Sequence, residues 1–337
     1  MRFLRNLLVA LAAIVLLLVA IGFFLPDSTH VERATTIARP PSEVFAVLNG
    51  FRRFNDWSPW ASADPQARYT YAGPAAGVGA RFAWSGNKEV GTGSQEIVES
   101  RPGELIRTAL DFGDMGKAMA TFRLAPAGDG TLVTWGLDVG AGGKLIGRYF
   151  NLLMDHMVGP DYEKGLARLK TLVESFPAAD ISGVQGEEVQ RTAQRIYFVS
   201  TSCGTDAESA KAAIGAAYGK IGRVMQGNGS QMQGAPMTIT TSYDKDGWKF
   251  DAVIAVDRND ASADAPDVQA GVTYAGKAVQ FTHVGPYDRI GDTITKAYAW
   301  TAVQGYKPKD RLIEEYISDP GNTPPEQLQT RLVIPVE

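Results

Sequence analysis

The chain has 337 residues, 21% charged and 45% hydrophobic, with 33 Lys and Arg against 37 Asp and Glu for a net charge of −4. That length suggests two domains, and the balance excludes wholesale disorder, fibrous repeats and a basic surface able to grip nucleic-acid phosphates. The single cysteine, Cys203, excludes an intrachain disulfide framework and any CxxC metal or redox site.

In chain order, residues 1–26 come first. Arg2 and Arg5 precede a charge-free apolar run of 19 residues, Leu7 to Leu25. As a helix this run is ~28 Å long, close to the ~30 Å hydrocarbon thickness of a bilayer. A cleaved signal peptide is the rival reading, but signal cores run ~7–15 residues and end in small residues. Here the run ends Phe23-Phe24-Leu25-Pro26, which favours a signal-anchor transmembrane helix. Basic residues only on the N-terminal side orient that end toward the cytoplasm. The expectation is a single-pass cell-membrane protein with its soluble part extracytoplasmic, periplasmic if the source is Gram-negative. A lone cysteine suits that compartment.

Residues 30–177 read as strand, helix, many strands and a long helix. Glu32–Ala38 is extended, and Pro40-Pro41-Ser42-Glu43 starts a helix with Val44, Phe45 and Leu48 at helical spacing. After Trp57-Ser58-Pro59-Trp60 come short β-rich runs separated by turn residues such as Gly128-Asp129-Gly130. The spacing predicts one helix over Lys144–Glu174, with Tyr162, Leu166, Leu169, Val173 and Phe176 on one face and a kink or restart at Gly159-Pro160. A curved antiparallel sheet crossed by one long helix encloses a cavity unless side chains fill it. On Pro40–Phe45, Trp57–Trp60, the Gly77–Gly79 turn and the closing helix, this unit resembles the SRPBCC, or START-like polyketide cyclase/dehydrase, superfamily. The resemblance implies a helix-grip cavity for apolar or amphipathic molecules. Candidate cavity residues are Trp57, Trp84, Trp135, Tyr149 and His156, each with a core-packing alternative.

Residues 178–190 are small and polar, and read as a linker. Residues 191–337 carry a β-α-β-β pattern twice: strand Arg195–Ser200, a helix from Asp206 to about Met225, and a hairpin around Asp246-Gly247, then the same order again over Ala278–Val336. A paired arrangement of such units creates a groove between its halves. This unit has 15 basic and 20 acidic residues counted from Ala178, a balance that favours cationic or neutral ligands. On His283-Val284-Gly285-Pro286-Tyr287, Trp300 with Gly305, Glu314-Glu315-Tyr316 with Asp319-Pro320, Pro324-Pro325-Glu326 and Val333–Val336, it resembles the GyrI-like effector-binding family. The whole fold class is then α+β: a transmembrane helix, a START-like helix-grip sheet and a duplicated GyrI-like domain.

Alternation in Leu312–Ile317 places Leu312, Glu314 and Tyr316 on one strand face. The resemblance maps its ligand-contacting glutamate onto Glu314; a solvated strand glutamate is the bland alternative. Tyr287, Trp300, Tyr316 and Trp248 are candidate groove walls, although Trp300 sits mid-helix and packs the core equally well. His283 either faces ligand or is a structural histidine bonded to backbone.

Enzyme chemistry lacks most of its parts. The three histidines have neither HxH nor HExxH spacing, no GxSxG elbow occurs, and Gly215, Gly219 and Gly222 lie in a helical stretch. No cofactor, metal or nucleic acid is expected. The leading reading is a membrane-anchored binding or sensing protein for a small hydrophobic or cationic molecule. Two alternatives stay open: a hydrolase using Glu314 with Tyr287, and a lipid carrier working through the START-like cavity.

Overall fold

The computed structural model describes residues 2–259 and 265–337, and the chain divides into two units, Met1–Asp180 and Ile181–Glu337. The first begins with α1 (Arg2–Phe24), a single apolar helix long enough to cross a membrane or to serve as a signal sequence. It continues through β1 (Ser28–Ile37), α2 (Pro41–Leu48) and α3 (Phe54–Trp57) into six strands: β2 (Arg68–Ala72), β3 (Arg81–Ser85), β4 (Thr92–Arg101), β5 (Leu105–Asp111), β6 (Lys117–Ala127) and β7 (Gly130–Gly140). These form one antiparallel sheet in the order β1-β7-β6-β5-β4-β3-β2, a meander whose first strand returns beside its last.

The closing helical segment is broken, though not where the sequence pattern places the break. α4 (Leu145–Asn151) and α5 (Met154–Glu174) are separated at Leu152-Leu153, while Pro160 lies inside α5. Pro160 and His156 are both exposed, so the acceptor that proline leaves without a donor lies on the solvent side, where water can serve it. Gly159 has its own role: a Cβ there would lie 2.1 Å from Nη2 of Arg33. Arg33 crosses the helix at that point and bonds Asp155 at 2.8 Å and Glu163 at 2.8 Å. Tyr162, Leu166, Leu169 and Val173 are all buried on the sheet, as their 4-3-4 spacing requires.

The Pro-Pro-Ser-Glu start of α2 ties the two ends of the unit together. Glu43 is fully buried and accepts the Ala179 N–H at 2.6 Å. Arg39, 3.7 Å from the Glu43 carboxylate, donates to the Phe176 carbonyl at 2.8 Å.

The second unit comprises β8 (Glu187–Arg191), β9 (Arg195–Cys203), α6 (Ala207–Asn228), β10 (Met237–Asp244), β11 (Gly247–Ala255), β12 (Gln269–Val272), β13 (Gly276–Val284), α7 (Ile290–Val303), β14 (Leu312–Tyr316) and β15 (Gln329–Pro335). β8 occupies residues that read as linker. Asp206 caps α6 by accepting the Ser209 N–H at 2.9 Å. The eight-stranded order is β12-β9-β11-β10-β14-β15-β13-β8. Each half holds a strand–helix–hairpin unit, flanked at its outer edge by a strand from the other repeat: β8 pairs with β13, and β12 with β9.

Corresponding bridges Met232–Val256 and Pro308–Val336 align the halves. On that alignment Thr238 matches Glu314, and these two residues face each other across the central β10–β14 pair. The internal two-fold therefore passes between them. Helices α6 and α7 cover one sheet face through separate clusters, one including Tyr197, Ile221 and Phe250 and the other Phe281, Ala297 and Leu332.

Candidate functional site

A concavity of about 2090 Å³ in the second unit lies between α6 and α7 over β10 and β14. It exceeds the roughly 300–1,000 Å³ of ordinary small-molecule pockets. Its walls repeat the internal symmetry: Ile214 and Tyr218 of α6 correspond to Ile294 and Tyr298 of α7, and all four line it. A helix presents residues four apart on one face, so each helix contributes an isoleucine–tyrosine pair.

The floor carries Glu314. Strand alternation turns Leu312, Glu314 and Tyr316 into the cavity, while Ile313 packs into the opposite sheet face with Met237, Ile239 and Val333. Glu315 also points away from the cavity and pairs with Arg191 of β8 and, at 2.8 Å, with Arg331 of β15. Adjacent glutamates thus have opposite circumstances. Glu315 is buried and doubly paired; Glu314 is 6% exposed and has no hydrogen-bond or ion-pair partner among the described residues. Burial alone pushes the Glu314 carboxyl up to about 7.

Tyrosines surround it without satisfying it. Tyr218 donates its hydroxyl to the Met237 carbonyl at 2.8 Å, and the Tyr316 hydroxyl is bonded to Thr238 Oγ1 at 3.0 Å. Tyr287 stands edge-on to Tyr316, ring centroids 5.6 Å apart. Trp248, fixed by its Nε1–H to Thr240 Oγ1 at 3.0 Å and packed at a 30° tilt against Phe250, forms a further part of the wall. Burial raises the Tyr218, Tyr298 and Tyr316 hydroxyls, and the charge on Glu314 raises them further. These phenols stay neutral, and their rings offer the negative faces that attract cations. Of the charged side chains lining the cavity, six are carboxylates (Asp206, Glu208, Asp288, Asp310, Glu314 and Asp319) and three are cations (Lys211, Lys309 and Arg311).

The structure gathers four of the six sequence-derived candidates at this cavity: Glu314, Tyr316, Tyr287 and Trp248. Trp300 and His283 lie elsewhere. Trp300 packs edge-on to Phe281 and against Tyr306; two positions beyond Tyr298, it falls on the far side of α7. His283 is buried, its ring nitrogens bonded to Thr293 Oγ1 at 2.8 Å and to the Pro286 carbonyl at 3.2 Å. Tyr218 and Tyr298 escaped the residue-by-residue reading, although superposing the two repeats would have marked them as a pair.

The first-unit candidates do not converge. Trp57 and Trp135 are core residues, 5.4 Å apart edge-on, and Trp135 stacks on Tyr162 at 3.7 Å. Trp84 is half-buried and donates to the Val90 carbonyl at 3.2 Å. Tyr149 donates its hydroxyl to the Leu18 carbonyl of α1, and His156 is exposed instead of lying on an apolar buried face.

Residues 28–174 match the family "Polyketide cyclase / dehydrase and lipid transport", and residues 185–337 match "GyrI-like small molecule binding domain". No curated protein matches significantly. Among solved structures, the chain is similar to the C-terminal domain of EcmrR (21% identity, 46% of this chain and 98% of that one, TM-score 0.41). It is also similar to a hydrolase from Listeria innocua (16%, 45% and 92%, TM-score 0.36). A third likeness is to the Aha1 dimer from Colwellia psychrerythraea (16%, 43% and 96%, TM-score 0.32). The chain is a two-domain protein, a polyketide cyclase-type domain followed by a GyrI-like small-molecule-binding domain.

Proposed function

We propose that this protein is a membrane-anchored receptor for a small amphipathic monocation, bound in the GyrI-like cavity with its positive charge at Glu314 and its apolar body against Tyr218, Tyr298, Tyr316 and Trp248. The observation that carries this reading is a buried carboxylate with no partner among the described residues, ringed by tyrosines whose hydroxyls are partly committed elsewhere. A buried anion is costly unless paired, so a cation that reaches it is repaid by restored ionisation as well as by contact. The acidic excess of the lining adds long-range attraction. The apolar α1, whose only basic residues, Arg2 and Arg5, lie in its N-terminal turns, supports anchoring with the soluble units extracytoplasmic.

The test is a titration of the full chain in lipid nanodiscs with a benzyl trialkylammonium ion and its neutral carbon isostere. Binding of the cation alone, lost in Glu314→Gln, is the expected result; equal binding of both compounds refutes charge recognition. A carboxyl titrating near neutrality is also suited to act as a general base. Turnover of an ester panel that disappears in Glu314→Gln would make the cavity a hydrolase site instead.

A further inference from the structure

A short segment of the first unit carries apolar side chains that nothing in that unit covers. Ile146, Phe150, Leu152, Leu153 and Met157 are each more than half exposed. Soluble proteins scatter such residues singly, whereas contiguous patches mark contacts with another phase or partner. Ile146 and Phe150 lie four apart on α4, and Leu153 and Met157 continue the run through the break into the first turn of α5.

The same segment is fastened to the end of α1. Gly22 is the buried residue of α1, and a Cβ there would lie 2.8 Å from Cγ of Leu145. Tyr149 reaches back to the Leu18 carbonyl. Arg148 donates to the carbonyls of Phe23 at 2.9 Å and Leu25 at 3.1 Å, and pairs with Asp27 at 3.4 Å. It thereby caps the orphan carbonyls and negative dipole end of α1. Leu18 and Phe24 are separated by ~9 Å of helix rise, so α4 lies alongside the last turns of α1. That depth matches the ~5–10 Å to which interfacial helices sink their apolar faces.

We infer that α4 and the first turn of α5 form an interfacial foot, with Ile146, Phe150, Leu153 and Met157 in the acyl chains around α1 and Lys144 at headgroup level. The occupant of the patch is the bilayer, because the patch continues the lipid-facing surface of the helix to which it is bolted. This inference rests on the membrane anchoring proposed above.

The experiment uses the full chain in a Cys203→Ser background, with single substitutions Ile14→Cys, Phe150→Cys, Leu153→Cys or Lys88→Cys. Each is labelled with an environment-sensitive fluorophore and reconstituted into phosphatidylcholine–phosphatidylglycerol vesicles containing doxyl-labelled lipid. Position 14 should lose its emission most to doxyl groups near the chain ends. Positions 150 and 153 should lose theirs most to doxyl groups near the headgroup, and position 88 should lose none. Quenching at 14 with emission at 150 and 153 equal to that at 88 overturns the foot and leaves the anchor standing. A blue shift at 150 without quenching means that protein covers the patch, and also overturns it. An unquenched position 14 removes the anchor, and the foot with it.

Discussion

Replacing Glu314 by glutamine should make the second unit more stable while abolishing pH-dependent cation binding. The Glu314 carboxyl stands at about 7 against an ordinary 4.5. Between those values the folded protein keeps a proton that the unfolded chain has released, so stability falls as pH rises from 4.5 to 7 and is level above. At 1.36 kcal/mol per pH unit the penalty at pH 8 is about 3 kcal/mol. Glu314→Gln removes it, which corresponds to a melting point higher by roughly 6–12 °C at pH 8, at about 2–4 °C per kcal/mol. At pH 4 the two proteins should melt together. Ligand binding should show the converse: apparent affinity scales with the ionised fraction, about 0.9 at pH 8 and 0.03 at pH 5.5, so cation affinity falls about 30-fold. Melts followed by tryptophan fluorescence in nanodiscs, with ligand titrations at both pH values, measure each effect. A wild-type affinity flat across that range, or melting curves that stay parallel from pH 4 to 8, would refute the reasoning.

The neighbouring glutamate should behave in the opposite way. Glu315→Gln weakens the buried pairing with Arg191 and Arg331 and should lower the melting point at pH 8 without changing cation affinity, read in the same two assays. Trp248→Ala or Tyr298→Leu should cost about 0.5–2 kcal/mol of cation affinity, or roughly 2- to 30-fold in Kd by calorimetry, with little loss for the neutral isostere. His283→Phe should leave Kd untouched while lowering the stability of the second unit by about 1–3 kcal/mol in chemical denaturation, since Thr293 and the Pro286 carbonyl lose their partner. Glu43→Ala removes the acceptor of the part-buried Ala179 N–H and leaves a cavity under α2, and should destabilise the first unit by about 1–3 kcal/mol, with cation binding in the second unit unchanged.

Much of this architecture is legible in the residues because local and global signals agree. Turn residues such as Gly128-Asp129-Gly130 separate the strands of the first sheet, Asp206 both looks like and acts as an N-cap, and the alternation in Leu312–Tyr316 is enough to aim Glu314. The strands that escaped, β8 and β12, are short and lie on the sheet edges. Their polar, small-residue composition is that of a linker until a partner from the other repeat supplies the hydrogen bonds. Trp300 misleads for a geometric reason: a large aromatic near a groove helix suggests a wall, but only its angle from Tyr298 decides which side it faces. The break at Leu152-Leu153 is hidden because proline advertises a disruption, whereas two exposed leucines, good helix formers, advertise none.

The position of Glu314 beside the internal two-fold depends on the two halves being one polypeptide. In a symmetric dimer of separate chains, the two facing positions on the central strands would be identical. Two threonines would offer no charge, and two glutamates about 4.5–5.5 Å apart between Cα atoms would repel each other and share a proton. Joining the halves in one polypeptide lets Thr238 stand opposite Glu314. The floor therefore carries one carboxylate beside the pseudo-two-fold instead of a pair, and no second glutamate competes with Glu314 for its proton.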